Sequence, residues 1–240
     1  MQLDEKWSFV GKKERHCDPD DEADWFRGDQ WGHVAFDPDS RLALQVVVGK
    51  RLETTAEMLL EGLKARLGGR PPEVVTSDGY AAYEGALLGL FGQEVTPPRT
   101  GQPGRPAGPR VEPPPGMCYG RVVKHKKKGR LERVEAEVVF GALPADAAIS
   151  TSYLERQNAT DRHRNARKGR KTYRFSKDWE AHEAMTTFTM YSGNFCWPVR
   201  TLRQQVAPKC YRQRTPAMAA GLADHVWSLE ECLTLPSVQH

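Results

Sequence analysis

An α/β fold is expected for this chain, with a mixed sheet that opens with a three-stranded antiparallel meander and is flanked by helices. Three apolar segments with partial alternation come first and are separated by polar, turn-forming residues. Segments with helical spacing then alternate with short apolar strands, a pattern typical of helices packed on a sheet. The length of 240 residues and a hydrophobic content of 39% suffice for a core and exclude a wholly disordered chain.

The first half supplies the meander and the first helices. Residues 3–10, 32–36 and 42–48 read as strands, and the composition of residues 37–40 predicts a turn between the last two. Thr54 to Glu57 match a capping box that opens a helix, which Gly68 and Gly69 end. A short strand over residues 73–78 and a helix over residues 80–91 follow.

The second half begins after a break rich in proline and glycine. Residues 96–118 are interpreted as an extended insert, because proline excludes a central strand or helix interior. A hairpin is predicted from residues 119–124 and 133–140, with a basic run at its tip. Helices are predicted at 152–168, at 179–196 and, in the tail, at 216–222. Residues 1–95 and 119–197 would together form the main domain, and residues 198–240 its C-terminal tail.

Composition restricts the setting of the protein. No apolar run is long enough for a transmembrane helix, and no secretory signal is visible, so no membrane partner is expected. The five cysteines include no C-x-x-C pair, which argues against a disulfide framework and a zinc ribbon. A reducing, cytoplasmic location is predicted.

Charge is distributed unevenly along the chain. The net charge is −5 over residues 1–120 and +9 over residues 121–240. An asymmetry of this kind suggests a polyanionic partner for the second half. The basic run over residues 121–133 is equally consistent with a solvated face. The denser segment 156–177 favours contact with nucleic-acid phosphates. The predicted DNA-binding residues are Arg156, Arg162, Arg164, Arg167, Lys168, Arg170 and Lys171.

Three acidic residues at the ends of predicted elements could carry chemistry. Asp4 lies in the first strand, Asp78 at the C-terminal end of the strand after the first helix, and Glu155 in the first turn of a late helix. Three carboxylates that converge at strand ends would suit two Mg²⁺ or Mn²⁺ ions and phosphodiester chemistry. Each acid has a structural alternative: a strand-edge charge for Asp4, a turn or N-cap residue for Asp78, and a capping box with Ser152 for Glu155.

Several segments resemble the DDE transposases of the insertion sequence 1 type, in collinear order over nearly the whole chain. They are residues 3–10 (LDEKWSFV), 76–83 (TSDGYAAY), 152–158 (SYLERQN), 170–177 (RKTYRFSK) and 214–222 (RTPAMAAGL).

The resemblance implies an RNase H-like catalytic core and a Mg-dependent transposase. Asp4, Asp78 and Glu155 take the places of its catalytic, metal-binding acids, and Arg162 takes the place of a basic residue two helical turns after the glutamate. Mg²⁺ or Mn²⁺ is the implied cofactor. The implied partners are the transposon ends and the target DNA, with a homo-oligomer assembled on the DNA.

The chain departs from the family at its start. Such transposases usually carry a zinc finger and a helix-turn-helix before the core, whereas Asp4 follows Met1 almost directly. The chain is expected to be a downstream frame joined to an upstream finger-bearing frame, a truncated copy, or a sequence with a misassigned start. A non-catalytic DNA-binding remnant or regulator is the alternative function. A structure-specific nuclease of the same fold is the other enzymatic alternative.

Overall fold

The computed structural model describes residues 1–97, 108–169 and 171–234. The strands and helices follow in chain order: β1 (Gln2–Val10), β2 (Gly28–Phe36), β3 (Ala43–Gly49), α1 (Glu53–Arg66), β4 (Val74–Ser77), α2 (Ala82–Phe91), β5 (Gln93–Val95), β6 (Arg110–Glu112), β7 (Cys118–Lys127), β8 (Arg130–Phe140), α3 (Ser152–Arg164), α4 (Trp179–Cys196), β9 (Gln204–Ala207), β10 (Cys210–Arg212), α5 (Pro216–Ala219) and α6 (Leu229–Thr234).

A six-stranded mixed sheet in the order β3-β2-β1-β4-β7-β8 forms the centre of the protein. Strands β1, β2 and β3 pair antiparallel in chain order, which confirms the predicted meander. Strand β4 then pairs parallel with both β1 and β7, and β8 returns antiparallel along β7. The mixed α/β architecture is therefore confirmed.

Alternation along the central strands divides the apolar side chains between two faces of the sheet. Leu3 and Ala35 pack with side chains of α1 and α2, including Leu59 and Leu87. Neighbouring residues of β2, with Val46 of β3, pack instead against α3 and α4. Because side chains alternate along a strand, both faces of the sheet are apolar, and a pair of helices packs on each face.

The first helix begins differently from the prediction. Leu52 is the N-cap of α1, no side chain caps the helix, and the capping box predicted at Thr54 to Glu57 is wrong. Thr55 is instead buried, and a Cβ on Gly49 would come within 2.9 Å of its Cγ2, so packing against β3 uses this side chain. The glycine signal at the C-terminus is confirmed, because Gly68 and Gly69 have φ of 61° and 78°.

The basic hairpin extends further than predicted. Its turn consists of Lys128 and Gly129, with φ of 49° and 78°, as a tight two-residue hairpin turn requires. Most of the basic run therefore lies within β7 rather than at the tip. Arg121 and His125 face Glu137 and Glu135 of β8, at 2.9 Å and 2.7 Å. This cross-strand pairing favours the solvated-face interpretation for much of the run.

The predicted insert and tail are shorter or more structured than expected. Residues 98–107 lie outside the described residues, but β5 and β6 on either side form a small antiparallel ribbon. The helix predicted to reach Lys168 ends at Arg164 and is followed by a 3₁₀ turn. The prediction for α4 is confirmed at both ends. The tail helix α5 is a single turn of four residues.

The edge strand β3 is fastened to the end of α4 by one side-chain amide. Asn194 accepts a hydrogen bond from the Ala43 N–H and donates one to the Ala43 carbonyl oxygen, both at 2.9 Å. Asn194 is itself buried.

Among the described helices, none combines the length and the apolar character needed to cross a membrane.

Candidate metal centre

The sheet brings Asp4 and Asp78 together at one strand end. Strands β1 and β4 run parallel, with Leu3 opposite Ser77. The residue after each of these is an aspartate, so Asp4 and Asp78 lie side by side at the C-terminal end of β4. Oxygen atoms of Asp4, Glu5 and Asp78 all lie within 4.8 Å of one another. Two acids that are distant in sequence thus meet, as the strand-end argument predicts.

The Asp4 carboxylate is held on both of its oxygens. Oδ1 accepts from the Glu5 N–H at 2.9 Å, and Oδ2 accepts from Asn158 Nδ2 at 2.6 Å. Burial raises the pKa of Asp4 to about 6, and repulsion by Asp78 and Glu155 adds to the rise, while these hydrogen bonds oppose it. A cation bound beside Asp4 would favour its ionised form and lower its pKa.

Asp78 contributes a buried oxygen that no described protein group satisfies. Its Oδ1 atom is buried and has no hydrogen-bond partner among the described residues. A buried carboxylate oxygen left without a partner is costly, and proteins normally satisfy such atoms. The atom lies in the same group of oxygens as those of Asp4 and Glu5.

Glu5 is the acidic residue that the sequence reasoning missed. It is buried, with its carboxylate paired to the Arg51 guanidinium and 3.3 Å from the Tyr83 hydroxyl. Burial and the neighbouring Asp78 raise the pKa of Glu5 to about 7, against the lowering effect of Arg51. The only signal in the sequence was its position beside Asp4, and strand alternation directs adjacent side chains to opposite faces.

Glu155 approaches the cluster but does not join the group of oxygens. It is on α3 and close enough to raise the pKa of Asp4. Its carboxylate accepts a hydrogen bond from Lys124 Nζ and one from Thr151 Oγ1, the latter at 3.0 Å. Burial alone would raise the pKa of Glu155, but these hydrogen bonds outweigh it and the pKa is lowered.

The capping-box alternative for Glu155 is wrong. Thr151, not Ser152, occupies the N-cap position of α3, and it makes no side-chain hydrogen bond to the backbone of the first turn. The Glu155 side chain is 45% exposed, so its carboxylate can rotate. Lys124, which sequence reasoning placed only in a general basic run, is thus part of this site.

The residues present suit a hard divalent cation. The donors are carboxylate oxygens, the ligands that Mg²⁺ and Mn²⁺ prefer over softer metals. Arg51 pairs with Glu5, but Asp78 Oδ1 has no hydrogen-bond partner among the described residues, and burial and repulsion by Asp78 and Glu155 still raise the pKa of Asp4. Asp4 and Asp78 would hold the cation, and Glu155 is near enough to Asp4 to raise its pKa.

A groove of about 620 Å³ opens beside this cluster. It runs from Asp78 along β7 and β8 and is lined by Arg121, Lys124 and Lys126 together with glutamates of β8. The groove reaches the cluster at Asp78, and two of its cations, Arg121 and Lys124, are paired with Glu137 and Glu155.

Two of the predicted DNA-binding residues are exposed, and a third is half-buried against an aromatic ring. Arg156 and Lys171 are exposed. Arg164 is half-buried, with its guanidinium 4.6 Å from the Trp197 ring centre, and burial lowers its pKa. The three residues do not form one continuous stripe, because α3 ends at Arg164 and the chain then changes direction.

The remaining basic residues behave differently. Lys168 is buried, with Nζ 3.2 Å from Asp161 Oδ2, so the expectation that it contacts DNA is corrected to an internal ion pair. Arg162 and Arg167 are half-buried, and Arg162 is close enough to lower the pKa of Lys168. Arg170 lies outside the described residues.

Comparison with known proteins adds no family assignment. The chain matches no protein-family model, and no curated protein is significantly similar to it.

Proposed function

We propose that this chain is the catalytic domain of a DDE-type transposase that cleaves phosphodiester bonds and transfers DNA strands at transposon ends. The observation that carries the proposal is the meeting of Asp4 and Asp78 at the C-terminal end of a central parallel strand, where Asp78 Oδ1 is buried and has no hydrogen-bond partner among the described residues. The sequence resemblance assigns the same two residues and Glu155 to the catalytic acids.

The architecture supports an RNase H-like core. An antiparallel meander leads into parallel strands that are joined by helices, and the helix carrying Glu155 packs beside β1. Strand ends of this kind are the usual place for sites in open α/β sheets. The helix position also explains why a residue about 150 positions after Asp4 stands near it.

The chain's own residues have separate tasks in this reaction. Asp4 and Asp78 hold the cation site in a fixed position, because both are anchored to paired strands. Asn158 orients the Asp4 carboxylate through its 2.6 Å hydrogen bond. When bound, Mg²⁺ ions would activate the attacking water or 3′-hydroxyl and stabilise the leaving oxygen. Lys124 keeps Glu155 neutralised until a cation or a phosphate competes for one of them.

Single substitutions test the proposal directly. Asp4→Asn, Asp78→Asn and Glu155→Gln should each abolish Mg²⁺-dependent strand transfer on duplexes that carry the DNA flanking the gene, while DNA binding stays nearly intact. Glu57→Gln, an exposed change on α1, is the matched control and should retain activity. Strand transfer by any of the three variants would remove that residue from the site.

The position of Glu155 favours one second candidate, a DNA-binding remnant without catalysis. Its carboxylate is bound to Lys124 and lies outside the group of close oxygens. In that case the wild-type chain should bind DNA but neither cut nor join it with Mg²⁺ or Mn²⁺. Cleavage of branched or hybrid duplexes without joining would instead identify a structure-specific nuclease.

A further inference from the structure

A second cavity, of about 500 Å³, is lined by α3, the end of α4, the β2–β3 turn and the segment after α4. Its size is in the range of small-molecule sites. The face of α3 that lines it carries Tyr153, Arg156, Gln157, Thr160 and Arg164. Helical spacing places these residues on a different face from the inward-facing Leu154, Asn158 and Asp161, so this cavity is separate from the metal centre.

Four arginines line this cavity without a single acidic residue among the described lining residues. They are Arg41, Arg156, Arg164 and Arg200. In the described part of the chain, none of the four has a carboxylate oxygen within 4.0 Å. Other arginines, such as Arg51 and Arg121, are paired with glutamates. Four like charges around one cavity repel one another, so the cavity favours an anion.

Two of the four arginines are positioned by packing, whereas Arg156 and Arg200 are exposed. The Arg41 guanidinium lies 3.4 Å from the centre of the Tyr153 ring, and Arg164 stacks over Trp197. A Cβ on Gly193 would come within 3.2 Å of Arg164 Nη1, so a small residue leaves room for this guanidinium. Burial lowers the pKa of Arg164, as expected for a cation that lacks a counterion.

The cavity also has an apolar wall, formed in part by Pro198, Val199 and Pro216. Guanidinium groups recognise phosphate oxygens through paired hydrogen bonds. Apolar and aromatic surfaces accept the flat face of a nucleobase. An inorganic anion would use the arginines and leave the wall uncovered.

We propose that this cavity binds one nucleotide, with its phosphate on the arginines and its base against the apolar wall. The nucleotide is either an unstacked unit of a DNA strand or a free nucleoside monophosphate. In the first form the inference deepens the proposed function and rests on it for the identity of the strand. Arg156 and Arg164, which the sequence assigned to the DNA backbone, then serve a defined subsite.

The test measures binding to the full chain in EDTA, without metal-dependent chemistry. Isothermal titration calorimetry would use deoxyadenosine monophosphate, inorganic phosphate and a short single-stranded oligonucleotide as probes. The variant Arg156→Gln/Arg200→Gln alters two exposed side chains and should fold normally, which its melting temperature checks. Arg15→Gln/Arg70→Gln removes the same charge from exposed sites that do not line the cavity.

The cavity variant should bind the nucleotide or the oligonucleotide about tenfold or more weakly than the control variant does, since two charge-assisted contacts are lost. Inorganic phosphate should bind the wild-type chain more weakly than the nucleotide. If the cavity variant loses affinity for the oligonucleotide alone, the occupant is a nucleotide within a DNA strand. If it loses affinity for both the oligonucleotide and deoxyadenosine monophosphate, the cavity recognises the single nucleotide itself. Equal affinities of the two variants, or phosphate binding as tightly as the nucleotide, overturn the proposal. Because no metal is present, inactive acid variants leave this outcome unaffected.

Discussion

Asp4→Asn should stabilise the metal-free protein at alkaline pH while removing its response to Mg²⁺. The pKa of Asp4 is about 6 in the folded protein, against an ordinary value of 3.8. A raised carboxyl pKa means that the folded state binds the proton more tightly than the unfolded state. The stability that the protonated Asp4 contributes to the folded protein is therefore fully present below about pH 4 and is lost as the pH rises through 6. At 1.36 kcal/mol per pKa unit, the ionised group costs the fold about 3 kcal/mol at pH 8.

Urea unfolding of both proteins in EDTA, at pH 4.5 and at pH 8, measures this effect. Asparagine resembles the uncharged acid, so the variant should gain about 2–3 kcal/mol over the wild type at pH 8 and much less at pH 4.5. Added Mg²⁺ should stabilise the wild type alone. Asp146→Asn, at an exposed site outside the cluster, should change neither quantity. A variant that is no more stable than wild type at pH 8 would refute the description of this site as crowded negative charge.

Three further predictions concern the surroundings of the cluster. Asn158→Leu should weaken Mg²⁺ binding about tenfold by calorimetry, because the hydrogen bond that orients Asp4 and lowers its pKa is lost; unchanged affinity would contradict this role. Lys168→Met should raise the melting temperature more at pH 6 than at pH 9. Burial lowers the pKa of Lys168 to about 7, so the charged form, which predominates at pH 6, is the one that the fold disfavours. A larger rise at pH 9 would show instead that the ion pair of Lys168 with Asp161 stabilises the protein. Leu154→Ala should cost about 2–5 kcal/mol in urea unfolding, since Leu154 is fully buried between α3 and the sheet; a loss well under that range would mean that α3 packs loosely.

The sequence was sufficient for the sheet and for part of the site because both follow from local patterns. Period-2 alternation located the meander, and strand ends placed Asp4 beside Asp78. Helix α4 was predicted at both ends, and in the structure Asp178 caps it by accepting a hydrogen bond from the Ala181 N–H. Such signals depend on neighbours in the chain, so sequence alone carries them.

Tertiary contacts decided the points that the sequence could not. Asn165 ends α3 and caps the following 3₁₀ turn by accepting from the Arg167 N–H, which turns Lys168 inward to Asp161. A basic residue in a basic segment gave no sign of that burial. Lys124 reaches Glu155 from β7, 31 residues earlier. No periodicity in the sequence links the two residues, so the ion pair between Lys124 and Glu155 could be identified only from the structure.

The amide of Asn194 has a consequence for how copies of this protein meet one another. It occupies the outward N–H and carbonyl of Ala43 and imitates the strand that would otherwise add there. Exposed backbone groups on sheet borders are templates for aggregation, and one side chain blocks the template at this point. At the opposite border, β8 carries five charged side chains that discourage unwanted pairing: Arg130, Glu132, Arg133, Glu135 and Glu137. Copies of this protein should therefore pair poorly edge to edge at this point of β3, even at high concentration.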